Sequence, residues 1–251
     1  KGKHPFIDGY LEWNDNETLI GSYLKKFPAL TDDQGLIYPS YNPAFQVTAR
    51  VSVSDPPAAN IPGDKQGLKG RRVRGMVISR FPAGMIMSAD YSQLEMRLLA
   101  SESEDENMIK IFSDGGDLHD ETAKLMFGPE FTKEQRSIAK NINFGTVYGI
   151  SAFSLSQKFR IEKTKSQEFI QSHRLAFPQV YLWMAVQHRF IREHGWIQSR
   201  LGQVRHLPRA TKAEDQELKA IFRQAGNFPI QQLGAQINNL AAWHLREAYQ
   251  R

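Results

Sequence analysis

The sequence contains no cysteine, so its 251 residues can form neither a disulfide framework nor a thiolate metal site. Any metal ion must therefore be held by oxygen or histidine ligands. No stretch approaches the roughly 18 to 20 apolar residues of a membrane-spanning helix. The first residues also lack the basic and then apolar pattern of a signal peptide. We therefore expect a protein that is not exported and has no membrane partner.

Internal repeats and low-complexity tracts are also absent from the sequence. With 41% hydrophobic and 24% charged residues, the chain has enough apolar side chains for a sizeable core. General disorder is therefore excluded. The length allows either one large domain or two smaller ones.

Charge is unevenly distributed, which is more informative than the formal net charge of +5. Basic residues form two clusters: Lys65, Lys69, Arg71, Arg72, Arg74 and Arg80 in the first, and Arg200, Arg205, Arg209 and Lys212 in the second. Residues 102–121, between them, are rich in acids and should face away from DNA or toward cations. Both clusters could contact phosphate groups, although a solvated basic surface is an equally common explanation.

Hydrophobic patterns predict strands near the start and helices after residue 100. Residues 41–70 are rich in Pro, Ser, Asn and Gly, which favours turns and extended segments. Apolar residues at 73–78 and 85–87 predict short strands, the second ending at Asp90. A helix is predicted from Ser92, with Ser92 and Glu95 as a capping box. Further helices are predicted at 104–112, 118–127, 132–148, 151–160, 164–194 (broken at Phe177-Pro178), 212–225 and 230–250.

Four residues recur at intervals of four along the helix predicted at 132–148: Arg136, Lys140, Phe144 and Tyr148. At 3.6 residues per turn they share one broad face. Two cations one turn apart suit a polyphosphate, and an aromatic ring further along suits a base or a sugar. The spacing also fits two surface cations on a helix whose aromatic end packs in a core. Gly145 and Gly149 would permit close approach of another backbone or a base.

Three segments resemble motifs of DNA polymerase family A, the DNA polymerase I-like enzymes. RSIAKNINFGTVYG, from Arg136 to Gly149, resembles motif B, the nucleotide-binding helix of the fingers. DYSQLEMR, from Asp90, resembles motif A, and the segment from Thr48 to Pro62 resembles the loop that contacts template and primer. The motifs occur in the family's order, and the resemblance extends from about Ile20 to the last residue.

The resemblance implies an α+β fold, the polymerase right hand, with an antiparallel palm sheet and a helical fingers subdomain. Residues 1–40 would end the thumb and enter the palm. Residues 41–103 would form the palm with the template and primer loop and motif A, and residues 104–195 the fingers with motif B. Residues 196–251 would return to the palm and end before motif C.

The implied activity is template-directed addition of deoxynucleoside monophosphates from dNTPs to a primer 3′ end. Two Mg²⁺ ions, which Mn²⁺ can replace, would assist phosphoryl transfer on primer-template DNA. Asp90 and the backbone carbonyl of Tyr91 would bind metal. Lys140 would hold the phosphates and protonate the leaving pyrophosphate, while Arg136 would clamp the terminal phosphate.

The resemblance implies further residue roles. Glu95 would exclude a ribose 2′-hydroxyl and bond the Tyr148 phenol, and Phe144 would pack on the incoming sugar and disfavour dideoxynucleotides. The implied catalytic residues are Asp90, Glu95, Arg136, Lys140 and Tyr148. The implied nucleotide-binding residues are Tyr91, Ser92, Gln93, Glu95, His119, Arg136, Lys140, Phe144 and Tyr148. The implied DNA-binding residues are Arg50, Asn60, Arg72, Gly149, Arg205, Asn227 and Gln231.

The sequence His119-Asp120-Glu121 looks like motif C, which carries the family's second catalytic aspartate. Its flanking residues instead match the fingers segment before motif B, where the histidine contacts the triphosphate. His119 also lies near a predicted helix N-terminus, a favourable place for an anion, although an exposed histidine at a helix cap is the plain alternative. Asp90 is thus the one catalytic carboxylate that can be assigned. We expect the second on another polypeptide or on further residues of a longer protein.

Two other functions fit parts of the pattern. One is a non-catalytic subunit that grips nucleic acid, and the other is a single-subunit RNA polymerase, which departs from the family pattern at the Glu95 position. Replication and repair roles both fit. We expect a cytoplasmic location in a bacterium or a phage-infected cell, with an organelle as the alternative.

Overall fold

The computed structural model describes residues 4–63, 67–147 and 149–249. The chain folds into two compact units, Lys1–Asp90 and Tyr91–Arg251. Helices dominate, and the strands form small antiparallel pairs, so the predicted α+β class is confirmed. The division into four parts that the family pattern implies stays a prediction.

The first unit begins with helices and continues through a strand pair. Its elements are α1 (Pro5–Leu19), a π-helical segment (Ile20–Leu24), α2 (Lys26–Ala29), β1 (Ser40–Asn42), β2 (Ser52–Ser54), a 3₁₀ helix (Ala58–Asn60) and α3 (Gly67–Arg74). α1 starts where Pro5 occupies the first helical position, which needs no N–H donor, and where the His4 ring accepts the Phe6 N–H. In the strand pair, Tyr41 lies opposite Val53.

The strands predicted at 73–78 and 85–87 are wrong. α3 extends to Arg74, and residues 85–87 have no regular secondary structure. A strand needs a neighbour for its backbone hydrogen bonds, and no strand pairs with this segment within residues 4–63 and 67–90. The apolar side chains there are exposed, Met85 to 92% and Met87 to 73%. The apolar pattern alone therefore does not make this segment a strand.

The second unit is a helical assembly with one strand pair. Its elements are α4 (Leu94–Ser103), α5 (Glu106–Ser113), α6 (Leu118–Phe127), α7 (Lys133–Val147), α8 (Ala152–Phe159), α9 (Lys163–Ala176), α10 (Pro178–His194), β3 (Trp196–Gln198), β4 (Val204–His206), a 3₁₀ helix (Pro208–Thr211) and α11 (Asp215–Tyr249). In the pair β3–β4, Ile197 lies opposite Arg205.

Side-chain caps explain several of these helix starts. The Asp105 carboxylate accepts the Met108 N–H before α5, and Ser151 and Ser154 form a capping box at α8. The capping box predicted between Ser92 and Glu95 is wrong. α4 starts after Gln93, whose φ of 54° is left-handed, and no side chain caps it.

α11 is one helix from Asp215 to Tyr249, although a break was predicted between residues 225 and 230. Pro229 lies inside it and cannot donate a backbone hydrogen bond to Ala225. Phe228 and Ile230 on either side of Pro229 are buried in the core. This burial stabilises the helix enough to outweigh the proline.

Three apolar clusters form the core of the second unit. The first joins α4, α5, α6, α10 and α11, with Leu99 and Leu118 fully buried. The second lies between α10, β3 and α11, and the third joins α7, α8 and α9 through Ile142 and Leu155. The third cluster fixes one side of α7 and leaves its polar side facing α6 and solvent. Within the described part of the chain, no helix combines the length and hydrophobicity that crossing a membrane requires.

Candidate functional site

Arg136 reaches from the first half of α7 to the start of α6. Its Nη2 lies 2.9 Å from Asp117 Oδ2, and its Nε donates to Asp120 Oδ1. The hydrogen bond that Arg136 donates to Asp120 raises the pKa of the guanidinium further above its ordinary value. The cation at this position is therefore permanent and is held at the junction of the two helices.

Lys140 and Phe144 follow Arg136 on the same side of α7, as the spacing predicts. The exposed Lys140 ammonium lies 5.8 Å from the centre of the Phe144 ring, within cation–π range. The Phe144 ring is partly buried, and its centre is 5.5 Å from that of His119. Two cations and the Phe144 ring thus lie on one side of α7, and the nearly buried His119 ring of α6 lies next to Phe144.

Tyr148, the fourth residue of the predicted face, lies outside the described residues. Gly145 and Gly149 flank it. A Cβ atom at Gly145 would lie 2.7 Å from Ile150 side-chain atoms, so Ile150 is the group whose approach Gly145 permits. Gly149 has a φ of +67°, which is left-handed and favours glycine.

His119 is 4% exposed, so the alternative of an exposed cap histidine is wrong. Its Nδ1 lies 2.9 Å from Asn143 Nδ2. Burial lowers its pKa to about 4, so the imidazole is neutral at pH 7. The anion at the α6 N-terminus is the carboxylate of Asp117, which accepts the N–H groups of His119 and Asp120.

Of the motif A residues, Asp90 is the last residue of the first unit, Tyr91 to Gln93 precede α4, and Glu95 lies in its first turn. Asp90, Tyr91 and Ser92 are exposed, whereas Gln93 and Glu95 are partly buried. The Ser92 carbonyl accepts a hydrogen bond of 3.0 Å from Arg97 Nε. The Gln93 Oε1 atom is buried and has no hydrogen-bond partner among the described residues.

The exposed Asp90 carboxylate has the hard oxygen chemistry that Mg²⁺ prefers. Among the described residues, no group of three or more acidic or histidine side chains is arranged to hold a metal ion. Asp90 therefore fits as one ligand of an ion whose other ligands come from outside these side chains.

The predicted DNA-binding residues are spread over both units. In the first, Arg50 and Arg72 are exposed, and the Asn60 backbone carbonyl accepts a hydrogen bond from the Tyr23 hydroxyl. In the second, Arg205 on β4 donates to Gln224 Oε1 of α11 at 2.5 Å, and partial burial lowers its pKa.

Asn227 and Gln231 are one turn apart on α11, and both are partly buried. The Asn227 Oδ1 atom is buried and has no hydrogen-bond partner among the described residues. Together with Gly149 these residues remain predicted contacts. Lys65 of the first basic cluster lies outside the described residues.

The sequence profile of DNA polymerase family A matches residues 1–251. The chain belongs to this family. Membership confirms the resemblance to family A and argues against a single-subunit RNA polymerase.

Several bacterial proteins are similar over most of the chain. The thermostable DNA polymerase I of Thermus aquaticus is 34% identical over 242 residues, which cover 95% of this chain and 29% of that protein. DNA polymerase I of Bacillus subtilis is 32% identical over 239 residues, 94% of this chain and 27% of that protein. The chain thus spans less than a third of the length of these family A relatives.

A solved structure has a similar fold. It is the polymerase domain of Pol1 from M. smegmatis in complex with DNA primer-template and dNTP. The TM-score is 0.91 at 29% sequence identity, and the match covers 99% of this chain and 44% of that one. The helical arrangement around α6 and α7 is therefore that of a family A polymerase domain.

The sequence pattern missed the polar residues that hold the family A site together. Asp117 and Asp120 are acids in an acidic segment, and only the packing of α6 on α7 pairs them with Arg136. Asn143 and His173 are both buried and bonded to each other, yet lie 30 positions apart. The available signal was the position of Asn143 between apolar neighbours on a helix face that is buried. A buried amide needs hydrogen-bond partners, so polar side chains could be expected close to it.

Proposed function

We propose that this chain forms the nucleotide-binding and DNA-binding part of a template-directed DNA polymerase. The observation that carries the proposal is the grouping of Arg136, Lys140, Phe144 and His119 where α6 packs on α7. Its cations and His119 suit a triphosphate, and the Phe144 ring suits a nucleoside. The similar Pol1 domain, which was solved with primer-template and dNTP, supports the same ligands here.

In this proposal each residue on α7 acts on a different part of the nucleotide. Arg136 binds the terminal phosphate, and Lys140 binds the phosphates nearer the sugar. The exposed Lys140 ammonium also donates its proton to the leaving pyrophosphate. Phe144 packs on the sugar and base, and Tyr148 completes this side. Because these side chains are in position before the reaction, they orient the nucleotide and stabilise the charge that develops in the transition state.

Motif A supplies the metal and sugar contacts in the proposal. Asp90 and the Tyr91 carbonyl bind Mg²⁺, while Ser92 and Gln93 line the nucleotide site. Bound at these oxygens, Mg²⁺ would supply the charge that favours ionisation of the primer hydroxyl and offsets the negative charge developing on the phosphate. Glu95 excludes a 2′-hydroxyl, so that deoxynucleotides are preferred.

The duplex contacts are proposed from the family pattern and from charge. Arg50, Asn60, Arg72, Gly149 and Arg205 would contact primer-template DNA, and Asn227 and Gln231 its minor groove. Minor-groove acceptors common to all base pairs permit binding without sequence preference. The bacterial sources of the relatives support a role in bacterial replication or repair in the cytoplasm.

The second metal-binding carboxylate is proposed to come from a C-terminal family A segment or from another polypeptide. Primer extension by this chain, with and without a C-terminal family A segment that carries motif C, tests this point. We expect extension only with the added segment. Extension by the chain alone would show that its own residues complete the site.

Substitution of Lys140 tests the role of the α7 surface. Because general acid catalysis contributes about 10² to 10⁴ in rate, Lys140→Ala should lower kcat of the complemented enzyme by at least about a hundredfold. Lys124→Ala is the matched control, since Lys124 on α6 is paired with Glu121. Equal rates for the two variants would reject the proposed role of Lys140.

The proposed sugar discrimination is tested by Glu95→Ala in the complemented enzyme. The ratio of dNTP to rNTP incorporation should fall, because the side chain that excludes the 2′-hydroxyl is removed. A preference for rNTP before the substitution would contradict the DNA polymerase assignment.

A further inference from the structure

A chain of hydrogen bonds crosses four helices of the second unit and ends at His119. The Tyr181 hydroxyl on α10 lies 3.0 Å from His173 Nδ1 on α9. His173 Nε2 lies 2.8 Å from Asn143 Oδ1 on α7, and Asn143 Nδ2 lies 2.9 Å from His119 Nδ1 on α6. His119 and the two inner residues are buried, with His173 exposed to 2% and Asn143 to 1%.

The orientation of the Asn143 amide is fixed by its surroundings. Nδ2 lies 3.4 Å from the Leu118 backbone carbonyl, which can only accept a hydrogen bond. Oδ1 lies 3.0 Å from the Thr122 hydroxyl, but that hydroxyl also donates to the Leu118 carbonyl at 2.7 Å, so the contact of Nδ2 with this carbonyl sets the amide orientation. A flipped amide would place its oxygen against the Leu118 carbonyl oxygen. Asn143 therefore donates to His119 and accepts from His173.

These roles determine which nitrogen of each histidine carries the proton. Burial lowers the pKa of His119 to about 4 and that of His173 to about 3, so both rings are neutral at pH 7 and carry one N–H each. His173 donates from Nε2 and accepts the Tyr181 O–H at Nδ1. His119 accepts at Nδ1, so its proton is on Nε2.

We infer that His173 is a positioning residue for nucleotide binding, which acts through Asn143 to keep the proton of His119 on Nε2. The inference rests on the proposed function, in which His119 contacts the triphosphate. An Nε2–H donates a hydrogen bond to a phosphate oxygen, whereas the other tautomer presents a lone pair that repels it. The centre of the Phe144 ring lies 5.5 Å from that of His119, so the two rings pack against each other.

A purely structural network would hold the helices together without requiring one direction of donation. The direction is what makes the inference testable. Each link is donor to acceptor from Tyr181 to His119, so a change at one end should alter the proton position at the other. Stability alone does not measure this effect.

Nitrogen-15 NMR of histidine-labelled protein, residues 1–251, reads the tautomers directly and needs no polymerase activity. We expect Nε2–H signals from both His119 and His173 at pH 7. His119 as the Nδ1–H tautomer, or as an even mixture, would overturn the inference. Asn143→Asp should move the His119 proton to Nδ1 or protonate the ring, because a carboxylate cannot donate to Nδ1. An unchanged His119 spectrum in this variant would also reject it.

Binding of dTTP with Mg²⁺, followed by calorimetry, tests the consequence for the nucleotide. His173→Phe keeps an aromatic ring but cannot donate to Asn143, and should raise Kd about tenfold, as expected for a lost hydrogen bond to a charged group. His173→Gln retains a donor and an acceptor, and its Kd should stay within about twofold. His188→Gln on α10 is the control, because His188 stacks on Phe222 outside this chain of bonds.

A double-mutant cycle separates positioning from general damage. If His173 acts through His119, adding His173→Phe to His119→Ala should raise Kd no further. Additive losses would contradict the inference.

If His173→Phe does not fold, Tyr181→Phe decides: it removes the donor to His173 Nδ1 and should allow a second His173 tautomer in the spectrum. A spectrum unchanged in both histidines would overturn the inference. Absence of dTTP binding by the unsubstituted chain would reject the proposed function and leave the tautomer test intact.

Discussion

Gly145 lies where the end of α7 meets Ile150, and the two residues are in close contact. The Ile150 N–H donates to the Gly145 carbonyl at 2.6 Å, and a Cβ at residue 145 would lie 2.7 Å from the Ile150 side chain. Steric crowding, rather than backbone conformation, therefore requires glycine here. Ile150 also packs against the third apolar cluster, so it cannot move away freely.

We predict that Gly145→Ala lowers the free energy of unfolding by about 1 to 3 kcal/mol, because overpacking displaces Ile150. Urea denaturation measures this. Gly9→Ala in α1 is the control, since no atom lies within 4 Å of its Cβ position and alanine should be neutral or stabilising there. Adding Ile150→Ala should recover part of the loss, and a simple sum of the two single losses would contradict the steric explanation.

At the scale of the element, α11 shows how packing outweighs a local signal. Pro229 leaves the Ala225 carbonyl without its helical donor, and the sequence therefore predicted a break there. The helix nevertheless contributes Phe228 to the second cluster and Ile230 to the first. Burying both side chains requires a continuous helix through the proline.

We predict that Pro229→Ala raises the free energy of unfolding by about 1 kcal/mol. The new N–H can donate to Ala225, while the greater freedom of the unfolded chain offsets part of the gain. Thermal unfolding followed by circular dichroism checks this. A lower midpoint would indicate that Pro229 has a packing role that alanine cannot replace.

Other elements show what the sequence does and does not determine. α6 and α7 were predicted almost to their ends, because their apolar spacing is helical and Asp117 caps the first. The strand predicted before Asp90 was wrong, because a strand depends on a neighbour that local sequence does not specify. In the same way, the spacing on α7 predicted that Arg136 and Lys140 share a side. The spacing could not predict that Asp117 pairs with Arg136 or that His173 bonds to Asn143, because tertiary packing brings these residues together.

At the scale of the whole molecule, two buried neutral histidines make stability depend on pH. His119 and His173 have pKa values of about 4 and 3 in the folded protein, below the ordinary 6.5 of the unfolded chain. Below 6.5 the unfolded chain therefore binds more protons at these sites, which favours unfolding.

We predict that the free energy of unfolding falls as the pH is lowered from 7 toward 5. Each histidine contributes a slope that approaches about 1.4 kcal/mol per pH unit below its unfolded pKa. Urea titrations at several pH values measure the slope. His173→Gln should make it shallower, and an unchanged slope would show that His173 is not buried in its neutral form.

The net charge of +5 and the exposed cations predict DNA binding that weakens with salt. Arg72→Ala should reduce the slope of log Kd against log salt by about one, if Arg72 contacts a phosphate. Lys69→Ala should have a smaller effect, because Lys69 is bonded to Glu12 and Asn16. Fluorescence anisotropy with a labelled primer-template measures both. Equal changes of slope in the two variants would indicate that the overall positive charge of the protein, rather than a specific contact of Arg72, causes the salt dependence.

The pairing of Arg136 with Asp117 and Asp120 also has a consequence for selectivity. A phosphate that binds this guanidinium must compete with two carboxylates that belong to the same protein and are always present at the site. The binding free energy at Arg136 is then the difference between its interaction with the phosphate and its interaction with the two aspartates, which is smaller than the interaction with the phosphate alone. A ligand with few negative charges gains little from the exchange, whereas a triphosphate gains more. In the proposed site, the two aspartates would therefore compete with the ligand for Arg136 and set a threshold of ligand charge.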